Sequence, residues 1–145
     1  MVDLVSIATR LKEQATGLRK VGLAADLAAV LEGKLPDQTG ISAFVLIGDE
    51  RGGQASISAG SYIQPVQLSI AVILTFREIS NRAGDKLVDE VEAAKAAVRA
   101  ALIGWIPDGA NGALRLVHGA PVSFKPGFFA WGYQFATSTQ LRYTR

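Results

Sequence analysis

The chain contains no cysteine. That excludes disulfides, thiolate metal sites and cysteine nucleophiles, and it fits a reducing compartment. It has one histidine, His118, so a histidine-rich metal centre is excluded as well. Charged residues are scarce at 19%, below the roughly one quarter usual in soluble chains. A charge-poor surface fits partial cover by a partner; an Ala- and Gly-rich composition accounts for it equally. No apolar run reaches the ~18 residues that a membrane span requires. The longest, around Leu68–Phe76, is interrupted by Ser69 and Thr75. The opening Met1-Val2-Asp3-Leu4 lacks a basic segment followed by a long apolar run, so no signal peptide is expected.

What is present suffices for a folded core. Apolar residues make up 49% of 145, which suits one domain over residues 1–145 and argues against general disorder. The formal charge is only +2, but it is unevenly spread. Residues 109–145 carry Arg115, Lys125, Arg142 and Arg145 and no Asp or Glu; residues 1–108 carry 11 basic and 13 acidic residues, a balance of −2. Such asymmetry can steer head-to-tail contact between copies or favour a polyanion on one side; at this charge density it can also arise by chance.

Periodicity sets out an α+β order of elements. Leu4, Ile7, Ala8 and Leu11 recur at helical spacing, and Asp3 and Gly17 supply a cap and a stop for a helix over 3–15. Residues 18–34 are ambiguous: Leu18–Ala25 can form a strand, whereas 26–32 is locally helical and Gly33 ends it. Ile41–Ile47 is a buried strand. Residues 48–61 hold four glycines and several serines and read as a long loop, a feature that in a compact domain is usually functional or mobile. Gln64–Ile79 is the clearest strand. Its residues Val66, Leu68, Ile70, Val72, Leu74 and Phe76 share one face, and the other face is mixed.

Residues 85–104 predict a helix about 30 Å long. Leu87, Val88, Val91, Ala94, Val98, Ala101 and Leu102 form its apolar stripe, which should lie on the apolar face of the long strand. Its acids, Asp85, Asp89, Glu90 and Glu92, precede Lys95 and Arg99, an order that complements the helix dipole. After a 108–112 loop come three strands, Ala113–His118, Pro121–Phe124 and Phe128–Leu141. Lys125-Pro126-Gly127-Phe128 is a type II turn between the last two. Phe129, Trp131, Tyr133 and Phe135 fall on one face as core aromatics.

The catalytic inventory is thin. A Ser-His-Asp triad would have to use His118, but no Gly-x-Ser-x-Gly elbow is present. Gly48-Asp49-Glu50-Arg51-Gly52-Gly53 has phosphate-loop spacing, but Gln54-Ala55 follows where Lys and then Ser or Thr are needed, so nucleotide binding is rejected. The long helix's carboxylates are better explained by a solvated face than by Mg²⁺ or Ca²⁺. Basic residues are scattered and not interleaved with aromatics, and the near-neutral balance argues against duplex binding as a main role. No catalytic residue, metal or cofactor is expected, and the chain reads as a binding protein. The competing reading is a small enzyme using His118 with a carboxylate, from which a His118→Ala variant that keeps function would distinguish it. Asp49, Glu50 and Arg51 at the tip of the 48–61 segment, together with Arg115, Arg142 and Arg145, are the candidate subunit and partner contacts.

Several local strings resemble one family. Leu35-Pro36 precedes Ala43-Phe44-Val45, Gly84-Asp85 opens the long helix, and Ala101-Leu102-Ile103-Gly104-Trp105-Ile106-Pro107 closes it. Leu116, Gly119, Trp131 and Phe135 follow. This pattern, from about Ala24 to Arg142, resembles the tail terminator (tail completion) proteins of long-tailed bacteriophages. Gly104-Trp105-x-Pro107 is its most specific part; Pro36, Phe44, Gly119 and Trp131 are its other markers. These residues also have a structural role: Gly104 ends a helix, Trp105 covers the core's end and Pro107 prevents continuation.

The resemblance implies a mixed, mainly antiparallel sheet with one long and one N-terminal helix on one side. It implies a virion ring of six copies at the head-proximal end of the tail. That ring would cap the tail tube, end its polymerisation and present a surface to the head-completion protein, with DNA only in transit and no membrane. A neck or head-completion ring subunit, or a bacterial protein evolved from a prophage, is the alternative within that resemblance.

Overall fold

A computed structural model describes residues 2–31, 40–77, 84–125 and 128–145. The first helix, α1 (Leu4–Gln14), starts where Asp3 Oδ1 accepts the Val5 N–H at 3.0 Å. A side-chain oxygen there satisfies a donor that the helix cannot. Ile7, Ala8 and Leu11 form its buried stripe. Gly17, at φ +89°, turns the chain into β1 (Leu18–Leu23), and α2 (Ala24–Leu31) follows directly. The ambiguous segment is therefore strand first and helix second.

The rest of the chain forms β2 (Gly40–Gly52), β3 (Ser56–Ser58), β4 (Ser61–Arg77), α3 (Gly84–Leu102), β5 (Arg115–Lys125) and β6 (Phe128–Thr144). The strands make one sheet in the order β1-β2-β4-β6-β5, with β3 beside β4. β1 and β2 are parallel and every other pair is antiparallel. A parallel pair needs a crossover, and the segment containing α2 supplies it. The molecule is thus a single α+β domain with a mixed, mostly antiparallel sheet, as expected. No described helix is long and apolar enough to cross a membrane.

Register aligns the core. Ile41, Phe76 and Phe129 lie in one row across β2, β4 and β6; Ala43, Leu74 and Trp131 in the next; Val45, Val72 and Tyr133 in the third. α1 and α3 cover this face: Ile7, Leu11, Ala94, Val98 and Leu102 join the same buried cluster. The expected helix-on-strand packing holds for these residues, while the side chains of Leu87 and Val88 lie outside the described residues. Ring centroids of Phe76 and Phe129 are 5.6 Å apart, and Trp131 meets Tyr133 edge-on at 6.0 Å. Tilted and edge-on arrangements such as these are favoured by the ring quadrupole. α3 grips the aromatic row from above: Lys95 Nζ sits 3.7 Å from the Trp131 ring centroid, and Arg99 donates to the Tyr133 hydroxyl.

The opposite face is not simply wet. Phe44 points away from the main core yet is fully buried. α2 packs against β1 and β2, and its Leu27 is buried too. The apolar run at 41–47 has no period-two alternation because this part of the strand is covered on both faces.

Two strand expectations are corrected. Ala113–His118 and Pro121–Phe124 are not separate strands but one, β5, whose register against β6 shifts between Leu116 and His118 and again between Pro121 and Ser123. Each shift inserts an extra residue, which bends the strand without ending it. Gly119 is required between them. A Cβ there would lie 2.8 Å from Tyr133 Cε1 and 3.3 Å from Trp131 Cζ2. Tyr133 is buried and held by Arg99, so its ring has no room to yield. Gly119→Ala is expected to destabilise the fold by about 1–3 kcal/mol, read as a lower urea midpoint with unchanged slope. A neutral result would show that the β5–β6 ladder is looser than its contacts imply.

The second correction concerns residues 48–61. They do not form a flexible loop. β2 runs on to Gly52, β3 follows three residues later, and a two-residue turn joins β3 to β4.

Candidate assembly interface

The extended strands build an arm. Beyond Gly52↔Val66 the sheet leaves the helix layer behind. β3 pairs with the start of β4 on one side (Ile57↔Tyr62) and the end of β6 pairs with it on the other (Tyr62↔Tyr143). From Val66 back to Ser61 the strand rises five steps, about 17 Å at ~3.4 Å each. Residues 47–61 and 141–145 are all exposed, so the arm stands clear of the core that positions it.

A bulge sets where the arm begins. Ile47 pairs with Ile70 and Glu50 with Leu68, so β2 carries one extra residue there. Gly48 lies against Ser69, where a Cβ would come within 3.0 Å of the Ser69 Cβ and 3.1 Å of its carbonyl oxygen. The bulge reverses which residues of β2 face the helices, and it exposes Ile47 at the rim of the core.

The tip is strained. Ala59 has φ +48° and Gly60 φ +81°, the positive pair that a type I′ hairpin turn demands. Glycine adopts this conformation freely; alanine does so at a cost of about 1–2 kcal/mol. Ala59→Asn, which tolerates that backbone, is expected to raise stability by about 0.5–1 kcal/mol. A thermal melt shifted upward by a few degrees would show it; no shift or a downward one would mean that the tip is not held in this turn. Strain of this kind persists where the surroundings impose it and is common at functional surfaces.

One face of the arm, the side on which the helices lie, carries a row of Ile57, Tyr62 and Tyr143. The two tyrosine rings are 6.4 Å apart, and Arg145 stacks 5.0 Å over Tyr143. Ile57 is 76% exposed, the most exposed of the large apolar side chains among the described residues. The other face carries Arg142, opposite Ile63, and Arg51, opposite Gln67. No Asp or Glu occurs between Arg51 and Arg77 or after Asp108, so the charged side chains of the arm beyond Glu50 are all basic.

The expected contact residues are therefore only partly gathered. Arg142 and Arg145 lie on the arm at the end of β6, and Arg51, about ninety positions earlier in sequence, lies at its base opposite Gln67. Asp49 and Glu50 lie at its base, on the bulge, not at its tip. Arg115 stands apart, at the start of edge strand β5 opposite Ala136. His118 is exposed on the same edge, opposite Gln134. Among the described residues, no group of three or more His, Asp or Glu side chains could hold a metal ion. No local sequence pattern singles out Ile57, Tyr62 and Tyr143. The string Ser56-Ile57-Ser58 followed by Ala59-Gly60 was the available hairpin signal, and the surrounding glycines and serines masked it.

The family markers serve the fold. Gly104, at φ +85°, ends α3, and its N–H donates to Leu114 O at 2.9 Å. Trp105 caps the core cluster, with the Arg10 guanidinium 5.4 Å from its ring centroid. Pro107 is buried. Pro36 lies outside the described residues. Beyond Pro107 the 108–112 segment takes the place of an edge strand beside the arm's base. Asn111 N–H donates to Ser138 O at 2.9 Å, and Thr139 Oγ1 donates to Gly109 O at 3.2 Å.

A family model described as "Phage tail terminator protein" matches residues 1–145. A search of curated proteins returned no match. Among solved structures, a chain from the virion of a native gene transfer agent particle is similar in fold. It is 18% identical, with a TM-score of 0.52, and the alignment covers 97% of this chain and 96% of that one.

Proposed function

This chain belongs to the phage tail terminator family and is a phage structural protein, and from that premise we propose that six copies form a ring that caps the tail tube at its head-proximal end. The ring ends tube polymerisation and presents the surface that the head-completion protein joins. The protein is made in the bacterial cytoplasm and carried into the virion.

The observation that supports this reading best is the arm. A rigid, exposed sheet extension with an apolar row and no acidic residue has no work to do within its own fold, yet it is what a subunit needs to reach a neighbour. A closed ring requires a heterologous interface, in which two different patches meet head to tail. A basic arm on a body whose acids all lie at or before Asp108 supplies two unlike patches. The arginines that do not contact a neighbour would face the lumen, through which DNA passes without base-specific recognition.

Mass measurement in solution with negative-stain imaging tests the proposal, both alone and with purified tail tubes. The expected particle is a ring of about six copies with a central pore, bound at one tube end and blocking further addition of tube subunits. Binding to filled heads but not to tubes, or a monomer even in the presence of tube ends, would overturn it.

A further inference from the structure

An open groove of about 370 Å³ lies between α1 and the segment after α3, lined by Asp3, Val5, Arg10, Glu13, Trp105 and Asp108. It sits on the helix side of the sheet, near the base of the arm. The Asp3 N–H donates to Asp108 O at 2.9 Å, and the adjoining 109–112 segment is bonded to β6. Its wall carries three carboxylates and one cation. That cation is already engaged: Arg10 Nε donates to Ala101 O at 3.0 Å while its guanidinium lies over Trp105. Val5 and Trp105 supply apolar surface in the groove, beside the polar Ser6 and Thr9. Trp105 is half-buried, Val5 is exposed, and Ile106 beside the groove is exposed.

The arm is the counterpart of this groove in both charge and chemistry. It offers an exposed Ile57 within an apolar row, flanked by Arg145, with Arg142 and Arg51 on the reverse face. Other surfaces match it less well. Edge strand β5 exposes Leu116, Val117 and Val122, but its charged residues are Arg115 and Lys125, the same sign as the arm. The exposed Asp89, Glu90 and Glu92 of α3 are acidic without a large exposed apolar side chain among the described residues of that helix. Among the described residues, the groove is the surface that joins excess negative charge to exposed apolar side chains.

We propose that the arm tip of one copy seats in the α1–Trp105 groove of a second copy, with Ile57 against Val5 and Trp105 and with Arg145, on the same face as Ile57, toward Glu13 and Asp108. The contact cannot form within one chain. The groove is at the base of the arm, the tip stands about 17 Å beyond it, and a hydrogen-bonded sheet does not fold back on itself over that length. Since arm and groove are different patches, the contact is head to tail, and repeating it leaves no arm unpaired only when the chain of copies closes. This rests on the ring proposed above and names the surfaces that build it.

The absence of native cysteine gives a clean test. A Val5→Cys/Ile57→Cys chain, assembled on tube ends or at high concentration and treated with a mild oxidant, is expected to give a ladder of covalent oligomers up to the ring. Each single-cysteine variant should stop at dimer or below. Separately, Glu13→Lys/Asp108→Lys and Arg145→Glu are each expected to weaken assembly at least tenfold, and the three substitutions together in one chain should recover most of it. All of these side chains are exposed, and Asp3 is left intact as the helix cap, so folding is not at stake; circular dichroism confirms it. Rings that form normally but give no ladder and ignore both charge reversals would overturn this docking and leave the ring standing. Failure of the unmodified chain to associate in any condition would overturn both.

Discussion

A chain in which residues 54–64 are replaced by Asn-Gly and residues 141–145 are removed should fold and melt like the full protein, yet fail to assemble or to bind tube ends. Gly53 and Pro65 already face each other, with the Gly53 N–H donating to Pro65 O at 2.7 Å, and Asn-Gly is the preferred two-residue link for such a pair. The strand end at 141–145 must go as well, because its partners in β4 are the residues replaced. None of the removed residues belongs to the core cluster. The hydrophobic burial that holds the domain together is therefore untouched, and the expected cost is within about 1 kcal/mol. The loss of association should be complete, since the apolar row and two of its three arginines leave together. Retained rings or retained capping of tubes would show that the arm is an ornament.

The second large effect is confined to the fold. Phe44→Ala removes a fully buried aromatic, a change that typically costs 3–5 kcal/mol through lost transfer energy and the cavity left behind. Against a total stability of about 5–15 kcal/mol, this is a substantial fraction. For a domain of this size the melting temperature should fall by roughly 10–20 °C. Phe44→Leu should cost far less, because most of the volume is kept. Urea titration separates the outcomes: a shifted midpoint with constant slope confirms a packing loss. A change below about 1 kcal/mol would mean that the face of β2 opposite the main core is not packed as described. The two variants are complementary. The first should leave a stable chain that cannot assemble, and the second a weakened chain whose arm is intact.

The candidate contact residues were half legible. Their sign was visible in composition, since acids stop at Asp108 while arginines continue to Arg145. Their company was not. Arg142 and Arg145 join the 48–61 hairpin only because β6 pairs along the whole of β4, a register that no local string encodes. The groove was invisible for the same reason: it joins the first turns of α1 to Trp105 and Asp108, about a hundred positions away. Taken singly, Trp105 reads as the lid of a helix end, which it is; that it also lines a groove follows from Arg10 and α1 arriving beside it.

What the sequence determined by itself were the elements whose burial is regular. Asp3 and Gly17 bracketed α1, period-two apolar positions marked β4, a helical stripe marked α3, and Gly104 stopped it. A residue that must face the core at fixed intervals leaves its period in the chain. The tertiary structure alone decided the rest: the parallel β1–β2 pair, the two bulges that make β5 one strand, and the arm. An exposed strand has little to bury, so its residues need not alternate; it is held as a strand by backbone pairing to partners remote in sequence. The proposed contact surfaces are written in that pairing.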